Sequence, residues 1–264
     1  MKRQVLLLLV AIQFLTRLPG PRLIGFQTSW LSESARFFPL VGALVGVIAV
    51  GIWWICTLFF PPLVAVGLMM SGSLLLTGAF HEDGLADVCD GFGGGRTCDA
   101  VLAIMKDSRV GAYGAIGIAM MLGLKWSVLV SLPLTAFSII VIGAHMVSRW
   151  CAIGLIWRLP YVRADAEAKS KPLANSLSGA DWLLSGALGV LILVPALLLI
   201  DLTARTQISV ALLSALIFSG ITTLLAGGYF KSRIGGYTGD CLGAAQQLAE
   251  LSFLLAALGV LGTR

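Results

Sequence analysis

Six of the thirteen acidic residues fall within residues 81–109: Glu82, Asp83, Asp87, Asp90, Asp99 and Asp107. If the segment continues the helix of the preceding apolar run, 63–80, Asp83, Asp87 and Asp90 stand at i, i+4 and i+7. At about 100° per residue that spacing puts them on one face. Aligned carboxylates repel one another, so the pattern asks for a positive partner. Mg²⁺ suits it best, because this hard cation prefers oxygen ligands and is often shared between protein carboxylates and substrate phosphates. Glu82 points off that face and reads as serving a second helix or a second ion. With Asp107 from the following loop, the candidate ligands are Glu82, Asp83, Asp87, Asp90 and Asp107.

Anion-binding groups alternate with these carboxylates. Gly91 reads as ending the helix in a left-handed turn. Gly93, Gly94 and Gly95 would then let backbone N–H groups approach a phosphate, with Arg96 next in line. No Gly-Lys-Ser/Thr follows, so this is no P-loop, and glycine clusters also serve as plain turns. Lys106 and Arg109 flank Asp107 and could stabilise a transferring phosphoryl group, the arginine through a bidentate contact. Their plainer reading is as interfacial anchors of the next span. A third string, Lys231 to Gly243, adds Arg233, Gly235, Gly236, Thr238 and Asp240 for substrate. Asp240 could join the metal set or cap a helix, and capping is the simpler reading.

The elements that position these residues are membrane helices. Of 264 residues, 58% are hydrophobic and 12% charged, against about 25% charged in a soluble domain. One core cannot hide that much apolar surface. In lipid the backbone must satisfy itself, which leaves helices or a closed barrel. The apolar runs are continuous and do not alternate as barrel strands would. We expect an all-α, polytopic bundle forming one integral membrane catalytic domain over 1–264. About seven spans are expected, near 41–60, 63–80, 110–132, 134–157, 182–200, 208–228 and 242–262. Residues 4–15 form an apolar run too short to span comfortably and read as an interfacial or re-entrant helix. Segment 163–179 reads as a polar loop, a candidate lid.

With residues 1–40 cytoplasmic, seven crossings leave fourteen Lys and Arg on that side and only Arg205 and Arg264 on the other. That bias is the positive-inside pattern and turns the acidic segment toward the cytoplasm. Lys125, His145, Arg149 and Glu250 fall within spans, where a charge is expensive unless paired. Lys125 and Arg149 are the expected partners of Glu250. The five cysteines show no metal or disulfide spacing and are expected to be free thiols.

These strings resemble the membrane-bound cobalamin (5′-phosphate) synthase family. The likeness rests on Glu82-Asp83-Gly84-Leu85-Ala86-Asp87 through Asp90-Gly91-Phe92-Gly93-Gly94, and on Met105 to Gly111. Gly235 to Ala244, Phe14 to Pro19 and Phe38 to Gly42 add to it. The resemblance implies a Mg²⁺-dependent transfer in the cytoplasmic (inner) membrane. Adenosylcobinamide-GDP and α-ribazole, or its 5′-phosphate, would give adenosylcobalamin, or its 5′-phosphate, and GMP. The implied partners are those two substrates and the lipid bilayer, without nucleic acid; a homo-oligomer stays open. Asp87 to Gly91 also resembles the opening of the CDP-alcohol phosphotransferase signature, but the Ala-Arg pair and the later aspartates four apart are absent. That class, and a transporter using Glu250, Lys125 and His145, are the alternative readings.

Overall fold

The computed structural model describes residues 2–21, 27–162, 176–198 and 201–262. The candidate lid therefore lies largely outside the described residues. Among the described residues eleven α-helices run in order: α1 (Lys2–Leu15), α2 (Thr28–Ser34), α3 (Phe38–Thr57), α4 (Pro62–Thr77), α5 (Phe80–Gly94), α6 (Cys98–Met105), α7 (Ala112–Ser131), α8 (Leu134–Arg158), α9 (Gly179–Leu198), α10 (Leu202–Ile234) and α11 (Gly239–Leu261). Among the described residues there is no sheet, only a parallel bridge between Tyr161 and Tyr237. The chain is thus the all-α bundle its composition requires.

Prolines mark the helix starts, where a missing N–H costs nothing. Pro39 and Pro62 open α3 and α4, and Pro133 immediately precedes α8. Helix α8 is the central post, enclosed by α3, α9, α10 and α11. Phe137 on α8 stacks on Trp53 of α3 at 4.1 Å between ring centroids. All five cysteines are free.

Among the described residues five helical segments are long and apolar enough to cross a bilayer: Ser29–Thr57, Ala112–Ser131, Leu134–Arg158, Ala204–Ile234 and Gly239–Leu261. A sixth crossing is present if α4 and α5 count as one broken span. The expected seven included 182–200, whose helix α9 is apolar but shorter in its qualifying part, Gly179–Pro195. Helix α1 is likewise a short apolar helix.

The largest departure from expectation lies between α4 and α5. The acidic segment does not continue the preceding span, because α5 turns 88° away from α4. Two consecutive left-handed residues make the turn, Gly78 at φ 67° and Ala79 at φ 54°. The Arg17 guanidinium lies against Gly78, where a side chain would collide with it, and the Arg17 N–H donates to the Leu76 carbonyl at 2.7 Å. A left-handed alanine costs about 1–2 kcal/mol relative to glycine. Ala79→Gly should therefore raise the thermal midpoint in detergent, and Ala79→Val should lower it. The reverse order would show that the joint is not strained.

Candidate active site

Helix α5 carries four carboxylates in fifteen residues and is by itself no span. It crosses one end of the bundle against α11 and α7. Close backbone contact sets its distance from α11: a side chain at Gly84 would lie 2.9 Å from the Asp240 Cα, and one at Gly243 3.1 Å from the His81 carbonyl. Glycine at both positions lets the helices touch, and this brings Asp240 beside α5.

The structure sorts the five expected ligands into three kinds. Glu82 and Asp90 anchor α5. The Gln247 amide of α11 donates to Glu82 Oε1 at 2.9 Å. Asp90 accepts from the backbone N–H of Gly111 at 2.7 Å and of Gly114 at 2.9 Å. Those are free donors at the start of α7, where a negative charge also meets the positive helix end. Both residues are about 9% exposed; both Asp90 oxygens are committed, whereas Glu82 Oε2 is buried with no hydrogen-bond partner among the described residues. Between the anchors, Asp83 is exposed and Asp87 half-buried. Asp107 stands apart, clasped by Arg109 at 2.5 Å and held at about 2, well below the usual carboxylate range, by that hydrogen bond.

The open carboxylates are Asp83 and Asp87, with Asp240 against the same stretch of α5. Burial pushes the Asp87 carboxyl up to about 7, and the charges of Asp240, Asp83 and Asp90 push it the same way. Among the described residues no three His, Cys, Asp or Glu side chains converge tightly enough to hold an ion by themselves. An ion here would have to complete its shell with water and substrate phosphate, as Mg²⁺ commonly does. Asp83, Asp87 and Asp240 are the hard oxygen donors that could hold it.

The raised Asp87 value has a testable consequence. A carboxylate whose folded value lies above its unfolded value of 3.8 favours the fold at low pH. It loses that contribution as pH rises toward about 7. In chelator, the thermal midpoint should fall across that window and should flatten in Asp87→Asn. Mg²⁺ should lift the midpoint more at pH 8 than at pH 5, because only the ionised cluster binds it. A lift independent of pH would detach the metal from Asp87.

Several expected substrate groups have other duties. Gly91 does not end the helix: α5 continues through Gly94, and Gly95, the cap, has φ −82°. The left-handed turn and the phosphate nest expected at Gly91, Gly93, Gly94 and Gly95 are therefore absent. Gly91 and Gly95 instead make room for Met105 and Val101 of α6, and Gly93 for the Tyr113 ring. Arg233 is turned inward, donating to the carbonyls of Gly95 at 2.7 Å and Phe92 at 3.2 Å. Its guanidinium lies over the rings of Phe92 and Tyr229. It closes the negative end of α5 rather than facing a ligand. Thr238, not Asp240, caps α11, accepting from the Cys241 N–H at 3.3 Å. Gly235, at φ 80°, ends α10, and Gly236 packs against the Pro160 carbonyl. Arg96, Lys106 and Arg109 are exposed around α6.

Beneath this mouth lies a buried polar chain. Lys125 pairs with Glu250 at 2.5 Å, and Gln246 donates to Glu250 at 2.6 Å. Gln247 donates to Gln246 at 2.8 Å and to Glu82. Of the two expected partners of Glu250, Lys125 makes the contact. The roles of Gln246 and Gln247 were not foreseen, although two adjacent amides inside a span are a signal in themselves.

Fold and site together define a polytopic α-helical membrane protein with a carboxylate-lined mouth at one end of its bundle. The family model for cobalamin-5-phosphate synthase matches residues 7–258, and the chain belongs to that family. It is 42% identical over 262 residues to an adenosylcobinamide-GDP ribazoletransferase of Shewanella frigidimarina, covering 98% of this chain and 96% of the relative. A protein of the same name from Ralstonia pickettii is 45% identical over 92% of this chain and 91% of its own length. One from Leptothrix cholodnii is 44% identical over 94% and 93%. No solved structure matches the chain.

Proposed function

We infer that this chain joins adenosylcobinamide-GDP to α-ribazole, or to its 5′-phosphate, and releases GMP at the cytoplasmic face of the inner membrane. Family membership supports the reaction. The observation that carries the assignment of the site is the division within α5: Asp90 and one oxygen of Glu82 are taken up as anchors, while Asp83 and Asp87 stay accessible beside Asp240. A diphosphate with a divalent cation is the ligand such a mouth fits. With α9 and the α4–α5 pair each counted as a crossing, the excess of Lys and Arg on one side supports the orientation.

In the transfer, a ribose hydroxyl oxygen of the acceptor attacks the phosphorus that bears cobinamide. The P–O bond to the guanosine phosphate breaks, and its electrons leave with GMP. An acceptor that keeps its 5′-phosphate must attack through another hydroxyl. The hydroxyl proton needs a base. Of the two carboxylates first expected in that role, Asp90 is buried with both oxygens hydrogen-bonded and Glu82 is buried at the side of α11, so the more accessible Asp83, Asp87 or Asp240 take the role. Mg²⁺ held by those same residues would neutralise charge on the phosphoryl oxygens. Lys106 and Arg109 lie in the loop before α7 and bring positive charge toward the departing GMP.

Membranes carrying this chain should release GMP from adenosylcobinamide-GDP only when α-ribazole and Mg²⁺ are both present. CMP release from a CDP-linked lipid, or solute flux without GMP, would replace this reading with one of its alternatives.

A further inference from the structure

Helices α5 and α11 touch through Gly84 and Gly243. Such contacts set how near the helices come, but glycine offers no ridge to lock one helix along the other. A hydrogen bond is directional, and the one from the Gln247 amide to Glu82 Oε1, at 2.9 Å, joins the same two helices in a buried setting. Among the described residues it is the one hydrogen bond of the Glu82 carboxylate, whose Oε2 has no partner. Gln247 stands seven residues beyond Asp240 on α11, and at about 100° per residue the two share a face. Glu82 immediately precedes Asp83 on α5. The bond therefore ties α5 to α11 on the face of α11 that carries Asp240, beside the open carboxylates.

A charge on a third helix turns this amide toward α5. Lys125 of α7 donates to Gln247 Oε1 at 3.3 Å, and an ammonium has no acceptor to offer. The oxygen of Gln247 must face it, which leaves the NH₂ for acceptors: Glu82 and, at 2.8 Å, Gln246 Oε1. Gln246 in turn donates to Glu250 at 2.6 Å and to Ser148 of α8 at 2.9 Å, and Glu250 closes the ring on Lys125. Every bond of the ring runs from the ammonium toward a carboxylate. All its members are buried, where an amide left facing the wrong way would strand its partners. We infer that Gln247 is a positioning residue of the reacting site: it locks the register of α5 on α11, and so sets how Asp240 stands to Asp83 and Asp87 for a divalent cation and its phosphate ligand. The inference rests on the site proposed above and adds to it a residue that touches neither metal nor substrate.

The test uses the full chain in nanodiscs and two paired substitutions that differ in this hydrogen bond. Glu82→Gln with Gln247→Met removes the bond and the buried charge together and nearly keeps both volumes. Glu82→Gln with Gln247→Glu reverses the bond: the amide introduced on α5 donates to the carboxylate introduced on α11, which still accepts from Lys125. The first pair should lose roughly 10²-fold in kcat/KM for adenosylcobinamide-GDP and need about tenfold more Mg²⁺ for half-maximal GMP release. The second pair should recover most of both losses. Independently of turnover, Mg²⁺ with inorganic pyrophosphate should raise the thermal midpoint of the parent and of the second pair, and raise that of the first pair much less at the same concentrations. Parent values in the first pair overturn the inference. Equal losses in both pairs also overturn it, because the Glu82 carboxylate itself would then be the group in use. No midpoint shift in the parent removes the mouth as the binding place and the inference with it. If the three chains keep the expected order of shifts while no GMP forms, the positioning role stands and the transferase reading falls. Should the first pair not insert, Gln247→Glu alone takes its place. It sets two carboxylates face to face, and adding Glu82→Gln must then restore turnover and the pyrophosphate shift.

Discussion

Asp87→Asn leaves a chain that inserts and folds as the parent does, yet turns over roughly 10²–10³-fold more slowly. The substitution keeps the shape of the side chain and removes its charge. Among the described residues no hydrogen bond depends on Asp87, unlike Asp90, whose two oxygens hold Gly111 and Gly114. Removing one charge from the group formed with Asp83 and Asp240 relieves repulsion, so the thermal midpoint in chelator should rise at neutral pH. Slower turnover in a chain at least as stable as the parent identifies a group used in the reaction. Asp90→Ala should behave in the opposite manner. It strands two backbone donors and should lower the midpoint together with activity. The measurement is GMP release set beside thermal unfolding for both variants. Full activity in Asp87→Asn would move the reacting site away from α5.

The contrast between those two aspartates shows how far the sequence could be read. The helical spacing of Asp83, Asp87 and Asp90 is a local property, and α5 carries all three. Their division of labour is not local. It depends on Gly111 and Gly114, more than twenty residues away, presenting free N–H groups to Asp90, and on Gln247, 165 residues away, meeting Glu82. Continuity with the preceding span failed for a similar reason. An apolar run followed by acids reads as one helix, and Ala79 gives no warning that it will adopt a left-handed conformation, which tertiary contacts around Arg17 and Leu76 hold in place. The glycines after Asp90 misled in the other direction: glycine permits a turn, but it also permits close packing, and α6 and Tyr113 use it for packing. Burial, by contrast, was legible from composition, because lipid leaves the backbone so few alternatives.

The pair Lys125–Glu250 should show the largest effect on stability. The two side chains are buried, 7% and 3% exposed, in α7 and α11. Removing either partner strands the other charge, a loss of about 3–5 kcal/mol. Lys125→Ala and Glu250→Ala should each therefore accumulate poorly or unfold far below the parent temperature. Lys125→Met with Glu250→Leu removes both charges while keeping volume, and replacing a buried pair by apolar residues is often close to neutral. The double variant should recover most of the lost midpoint, and comparison of the four chains forms a double-mutant cycle. Additive losses would mean that the contact at 2.5 Å contributes no coupling. Recovery of stability without full recovery of activity would carry a further meaning. Gln246 donates to Glu250 and accepts from Gln247, and Gln247 in turn holds Glu82 at the start of α5. Without Glu250 that chain of hydrogen bonds loses its end, and the residue adjoining Asp83 loses part of its support. The buried pair would then be serving the placement of the carboxylates at the mouth as well as the packing of α7 on α11.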